Sequence, residues 1–138
     1  AVTLKSHPSE HHAKLVNLAQ KTISYALQWS LEDAVKLIRE NDIIITQSTS
    51  AGFWAILSRK PTIYLNIDDF KDYEPYAKTG AALGVYSLHQ LNQNIETLIK
   101  YPNLCAKNQT AFVRDFCYKH NGEASLRIAD YIQLTISS

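Results

Sequence analysis

The sequence is short of cysteine, of clustered charge and of long apolar runs. With only two cysteines, Cys105 and Cys117, it does not fit a disulfide-stapled scaffold, so we expect two free thiols in a reducing, cytoplasmic compartment. The formal net charge is +1 and the basic residues are scattered, which gives no electrostatic reason to expect nucleic acid as a partner. No window approaches the ~18 consecutive apolar residues that suggest a membrane span.

Several motifs that would point to a common activity are also missing. The chain has no G-x-x-x-x-G-K-[ST] loop, no G-x-G-x-x-G and no G-x-S-x-G, which argues against an ordinary NTPase, a NAD domain and a serine hydrolase. The stretch HPSEHH (7–12) invites a metal site. Pro8, however, places His7 at or before the helix start, and no cysteine or second carboxylate cluster completes a ligand set. We therefore expect neither a metal nor a bound cofactor.

Short apolar runs alternate with stretches of helical periodicity along the 138 residues. The β-branched run at 42–46 is typical of a parallel strand covered on both faces. The alternation predicts one α/β domain, a Rossmann-like parallel sheet flanked by helices, with two further helices at the C-terminus. The predicted strands are 2–4, 22–27, 42–46, 61–65 and 84–86; the predicted helices are 9–21, one capped by Ser30 and ended by Asn41, 50–58, 70–79, 88–100, 106–120 and 123–135.

The segment IIITQSTSAGFWAI carries the clearest prediction of a site. Gln47, Ser48, Thr49 and Ser50 stand between a buried strand and a helix, at the edge where open α/β sheets bind ligands. The first turn of a helix offers unpaired N–H groups and a positive dipole end, and Gly52 would let a ligand approach the backbone. Together these features predict a phosphate site. The alternative is that one hydroxyl simply caps the helix.

Two further segments are predicted to reach the same side of the sheet. Lys5, His7 and Pro8 follow the first strand, and a protonated histidine there would bind a phosphate or assist its departure. Leu27, Gln28 and Trp29 lie between a predicted strand and a helix, where they would flank a nucleobase. The alternatives are an exposed or capping His7 and a Trp29 that only packs in the core.

These segments, in this order, resemble the C-terminal half of a GT-B-type glycosyltransferase. The resemblance is to bacterial capsule and lipopolysaccharide Kdo transferases, bacterial sialyltransferases and CDP-glycerol glycerophosphotransferases. It is carried by His7-Pro8 within VTLKSHPSE, by Ser48-Thr49 within DIIITQSTSAGFWAILSRKPTIYL, and by the closing stretch FCYKHNGEASLRIADYI. It spans nearly the whole chain, and the order and spacing of the motifs matter more than any one of them.

The resemblance implies roles for the residues already singled out. His7 would be catalytic, contacting the donor phosphate and favouring departure of the nucleotide, and Ser48 and Thr49 would hydrogen-bond that phosphate. The expected donor is CMP- or CDP-activated, such as CMP-Kdo or CMP-sialic acid, and the acceptor is a glycan or glycolipid. The implied donor- and phosphate-binding set is Lys5, Pro8, Gln47, Ser48, Thr49, Ser50 and Gly52; the set flanking the base is Leu27, Gln28 and Trp29.

The chain is expected to be one donor-binding domain, residues 1–138, of a longer protein. It contains no methionine and opens directly into a predicted strand. The resemblance implies a missing N-terminal acceptor domain that supplies the catalytic acid or base. The expected location is cytoplasmic, and the missing part leaves open an association with the inner face of the membrane.

Two other interpretations remain open. One is a UDP-sugar glycosyltransferase or a relative of UDP-GlcNAc 2-epimerase. Many UDP-sugar enzymes of this fold carry a ribose-binding glutamate after the phosphate loop, whereas this chain has Trp54 and Ala55 there. The other is a non-catalytic α/β module, for which the pair Asp68-Asp69 is the only cluster of acids at a predicted strand end.

Overall fold

The computed structural model describes residues 1–7, 13, 14, 16, 17, 27–67, 71–119 and 121–137. Within them the chain forms five strands and five helices, and residues 13, 14, 16 and 17 are also helical, inside the predicted helix 9–21. The strands are β1 (Thr3–Leu4), β2 (Gln28–Trp29), β3 (Ile44–Thr46), β4 (Thr62–Leu65) and β5 (Leu83–Val85); the helices are α1 (Ala34–Glu40), α2 (Ser50–Leu57), α3 (Leu88–Lys100), α4 (Ala106–Cys117) and α5 (Ala124–Ile136).

All strand pairings are parallel. β1 pairs with β2, with Thr3 opposite Gln28, and a separate three-stranded sheet has the order β3-β4-β5. In that sheet Thr46 lies opposite Tyr64, and Tyr64 lies opposite Gly84. The carboxyl ends of β3, β4 and β5 therefore meet at one edge, called the carboxyl edge below. This arrangement confirms an α/β fold and is consistent with a Rossmann-like domain.

The three-stranded sheet has a core on each face because neighbouring strand residues point to opposite sides. On one face Tyr64 packs with Ile56 of α2 and Phe112 of α4. On the other face Ile63 packs with Val85 and with Leu98 of α3. Helices thus cover both faces, as a parallel sheet requires.

Strand β3 is less covered than its sequence predicts. Ile45 keeps 45% of its surface exposed, although the run 42–46 suggested a strand buried on both faces. Ile45 is paired with Ile63, whose face is covered by α3, but α3 packs mainly against β5. Helix α3 therefore shields β5 from solvent better than it shields β3.

Helix α1 begins later than predicted. Asp33, not Ser30, is its N-cap: Oδ1 of Asp33 accepts from the N–H groups of Val35 (2.8 Å) and Lys36 (3.1 Å). The Ser30 hydroxyl accepts only from the N–H of Glu32, in a turn ahead of the helix. One aspartate oxygen can satisfy two orphan donors of the first turn, so the cap falls at Asp33. The predicted end at Asn41 is confirmed.

The predicted helix 70–79 is wrong over the described residues 71–79. Those residues form an irregular segment followed by a turn at 76–80. Pro75 would stand in the interior of that helix, where its ring and missing N–H break the hydrogen-bond ladder. Helix α3, in contrast, has the predicted bounds, and its start is fixed by a capping box between Ser87 and Gln90.

The C-terminal part of the chain contains two free thiols, as expected. Cys105 is buried and Cys117 is half-buried, and burial raises the pKa of both. Helix α5 has no buried residue. In the part of the chain that the structure describes, no helix is both long and apolar enough to cross a membrane.

Candidate functional site

Polar side chains gather at the carboxyl edge from the ends of three strands. Ser48 follows β3, Asn66 follows β4 and Tyr86 follows β5. The irregular segment 71–76 contacts all three. Its Asp72 accepts hydrogen bonds from Nδ2 of Asn66 (2.7 Å) and from the Tyr86 hydroxyl (2.8 Å), and its Glu74 accepts one from the Ser48 hydroxyl.

Thr49 caps helix α2. Its Oγ1 accepts from the N–H of Ala51 (3.3 Å) and shares a hydrogen bond with Oγ1 of Thr46 (3.0 Å). The backbone N–H of Thr49 donates to the carbonyl of Gln47 (2.8 Å), which tightens the turn between β3 and α2, residues 47–50. Thr49 thus performs the ordinary capping role that the sequence left as an alternative, while Gln47, Ser48 and Ser50 are exposed.

The hydroxyl of Ser48 is engaged with a carboxylate. A serine hydroxyl can donate one hydrogen bond, and here it donates that bond to the Glu74 carboxylate. The Tyr64 hydroxyl lies beside Ser48 and Asp72; burial raises the pKa of Tyr64, with a further contribution from the charge of Asp72. While the contact with Glu74 stands, Ser48 can accept a hydrogen bond but cannot donate one to a phosphate.

Gly52 has a structural explanation in addition to the role expected from the sequence. A Cβ at Gly52 would lie 2.7 Å from Cε2 of Tyr76 and 3.0 Å from Cγ2 of Thr46. The Tyr76 ring therefore occupies the space into which a side chain at position 52 would project. The Tyr76 hydroxyl also donates to the carbonyl of Thr49 (3.3 Å), and burial, more than the nearby Glu74 charge, raises the pKa of Tyr76 to about 12.

Asp72 is held as a carboxylate at this edge. The hydrogen bond from Tyr86, followed by that from Asn66, lowers the pKa of Asp72. Partial burial and the bond to Asp72 raise the pKa of Tyr86 to about 12, so the phenol remains the donor near neutral pH. Segment 71–76 is thus attached to the ends of β4 and β5 by Asp72 and to the end of β3 by Glu74.

Sequence reasoning missed most of these residues. Asn66 and Tyr86 were recoverable in principle, because Asn66 directly follows the predicted strand 61–65 and Tyr86 is the last residue of the predicted strand 84–86, which places both at or near the carboxyl edge. Asp72 and Glu74 were not recoverable, because the segment that carries them was assigned to a helix. Only the fold shows that this segment crosses the strand ends.

The first-strand motif lies in the other sheet. Lys5 and His7 are exposed and follow β1, which is paired with β2, whereas Ser48 follows β3. Pro8 lies outside the described residues. A joint role for His7 and Ser48 stays a prediction.

The expected base-flanking loop is partly a strand. Gln28 and Trp29 form β2, and the N–H groups of Gln28 and Ser30 donate to the carbonyls of Val2 (3.1 Å) and Leu4 (3.0 Å). Leu27 precedes the strand. Backbone groups that pair with β1 are no longer free to read a base edge, although Trp29 still stands at the carboxyl end of its strand.

The described residues contain no group of three or more histidine, cysteine, aspartate or glutamate side chains arranged to hold a metal ion. Glu10, His11 and His12 lie outside those residues.

Comparisons of the chain with protein families, curated proteins and solved structures find no match.

Proposed function

We propose that this chain is the donor-binding domain of a glycosyltransferase that uses a CMP- or CDP-activated donor in bacterial surface-polysaccharide synthesis. The observation that carries the proposal is the turn at 47–50, which joins a parallel strand to the start of α2 at the carboxyl edge. Ligands of open α/β sheets bind in this position, and the N-terminus of a helix attracts phosphate.

The proposal assigns the phosphate to the turn at 47–50 and the remaining chemistry to other parts of a longer protein. Ser48 and Ser50 are exposed there, and the dipole of α2 favours an anion. His7 would approach from the end of β1 to favour departure of the nucleotide. The acceptor, a glycan or glycolipid, and the catalytic acid or base would belong to an N-terminal domain, with the whole enzyme in the cytoplasm at the inner face of the membrane.

A UDP-sugar enzyme of the same fold, either a transferase or a 2-epimerase relative, is the second candidate. Many such enzymes bind the donor ribose with a glutamate that follows the phosphate turn, and the sequence of this chain has no carboxylate there. Glu74 of segment 71–76 contacts Ser48 and so brings a carboxylate to the turn at 47–50, where it could serve this purpose in a UDP-sugar enzyme. This contact is the observation that favours the second candidate.

Calorimetric titration of the chain with CMP, CDP, UMP and cytidine tests both candidates. Because half of the active site is absent from a donor-binding domain alone, we expect a dissociation constant on the order of 0.1–1 mM for CMP or CDP. Cytidine should bind at least about tenfold more weakly, since it lacks the phosphate. Preferential binding of UMP would favour the second candidate.

The same titration defines what would contradict the proposal. If none of the nucleotides binds, or if cytidine and CMP bind equally, the turn at 47–50 does not bind the phosphate of the donor. Sugar transfer by this chain alone would show instead that the catalytic groups are all present within it.

A further inference from the structure

Glu74 brings a carboxylate to the turn at which the proposed function places a phosphate. It is half-buried and accepts a hydrogen bond from the Ser48 hydroxyl. Two residues further on, Tyr76 packs its ring against Gly52 and donates to the carbonyl of Thr49. The segment is therefore anchored on the first turn of α2, which holds Glu74 beside the turn at 47–50.

A fixed carboxylate in this place opposes bound anions. Asp72, on the same segment, adds a second negative charge held by Asn66 and Tyr86. At a separation of about 4 Å, repulsion between unit charges changes an affinity by roughly fivefold in bulk water and by roughly several hundredfold at the effective dielectric near a protein surface, so about tenfold or more is expected for each charge. The positive end of α2 attracts a phosphate, but Glu74 repels each negative charge on it, so a phosphate with two charges is repelled about twice as strongly as a phosphate with one.

We infer that Glu74 is a specificity-determining residue, which makes the turn at 47–50 select phosphates with one negative charge over phosphates with two. The inference rests on the proposed function. A CMP-linked donor is a phosphodiester with one charge, whereas a CDP-linked donor carries two, and free CMP approaches two above pH ~6. Glu74 would therefore select CMP-linked donors and weaken retention of the CMP product.

The opposite role for Glu74 makes a different prediction. If the carboxylate accepts a hydrogen bond from a ligand hydroxyl, as a ribose-binding group does, then removing its charge weakens every ligand that carries a ribose. If it repels phosphate, removing its charge strengthens phosphate-bearing ligands and leaves cytidine unchanged. The sign of the effect distinguishes the two roles.

The test compares the chain with Glu74→Gln, which keeps the size and an acceptor oxygen but removes the charge. Glu96→Gln is the matched control, because Glu96 is exposed on α3, which packs against β5, the strand farthest from β3. Calorimetry at pH ~8, where a phosphomonoester carries two charges, measures the affinity of each protein for cytidine, CMP, CMP methyl ester and inorganic phosphate.

In the unaltered chain we expect the methyl ester to bind at least as tightly as CMP, although it has one charge fewer. Glu74→Gln should strengthen CMP by about tenfold or more and the ester by a smaller factor, while Glu96→Gln leaves the ratio unchanged. CMP binding much more tightly than its ester in the unaltered chain would overturn the inference even without the variant. So would a loss of affinity in Glu74→Gln, or an equal change for CMP and ester.

The two proposals fail differently. If cytidine and both nucleotides bind but Glu74→Gln does not change their ratio, the donor site stands and the charge selection is wrong. If Glu74→Gln gains affinity for inorganic phosphate while no cytidine compound binds, the charge selection stands and the cytidine-nucleotide function is wrong. If no probe binds either protein, both are wrong.

Discussion

Replacing Tyr76 by alanine is expected to lower the free energy of unfolding by about 3–5 kcal/mol, as truncation of a buried aromatic ring usually does. Tyr76 is 4% exposed, and its ring lies 6.0 Å from that of Tyr64 and 5.7 Å from that of Phe112. It also fills the space beside Gly52. Urea denaturation monitored by far-UV circular dichroism measures the change.

Two variants control this prediction. Tyr73 is on the same segment but 73% exposed, so Tyr73→Ala should change stability by less than about 0.5 kcal/mol. Tyr76→Phe keeps the ring and removes only the hydrogen bond to the carbonyl of Thr49, which should cost about 0.5–1.5 kcal/mol. A loss below about 1 kcal/mol in Tyr76→Ala would mean that segment 71–76 is not anchored in the core.

Gly52→Ala is expected to destabilise the protein by about 1–3 kcal/mol, the usual cost of forcing extra volume into a packed site. The new Cβ would come within 2.7 Å of the Tyr76 ring and 3.0 Å of the Thr46 methyl group. This expectation is opposite in sign to helix propensity, by which alanine is about 1 kcal/mol better than glycine inside a helix. Chemical denaturation decides between the two effects.

A second background tests whether Tyr76 is the cause. In Tyr76→Leu the ring is gone, so the same Gly52→Ala change should cost much less or become stabilising by up to about 1 kcal/mol. If the cost of Gly52→Ala is the same in both backgrounds, the close packing of Gly52 against Tyr76 is not what requires glycine.

The sequence was most informative where short-range rules decide the structure. Helix α3 was predicted with the bounds it has, because helical periodicity is a local signal. The capping box that the structure shows at its start is local too. The turn between β3 and α2 was also predicted, because a β-branched run followed by small polar residues has few other conformations. The edge of the sheet to which this turn belongs then follows from parallel topology.

The sequence was least informative about segment 71–76. Its periodicity suggested a helix, but Pro75 disfavours one and the acidic side chains find partners at three strand ends. These contacts join residues 6 to 26 positions apart, beyond the reach of helical or strand periodicity, so no local sequence pattern indicates them. The same holds for Gly52, which was interpreted as a ligand approach because its long-range neighbour Tyr76 was not visible in the sequence.

The carboxyl edge has two opposite electrostatic effects on an anion bound at the proposed site. The start of α2 favours an anion, and Asp72 and Glu74 bring negative charge to the same edge. A site of this kind binds phosphate weakly unless another group adds positive charge. In the proposed function, His7 or a further domain of a longer protein would supply this charge.

The most direct test of the proposed site is backbone amide shift mapping of the isotope-labelled chain titrated with CMP. We predict that the amides of 47–52 shift together and saturably, with those of segment 71–76, while the amides of α5 stay unchanged. If the amides of 47–52 do not move while CMP binds elsewhere, or if CMP moves no resonance at all, the turn at 47–50 is only a helix cap and the chain is better explained as a non-catalytic α/β module.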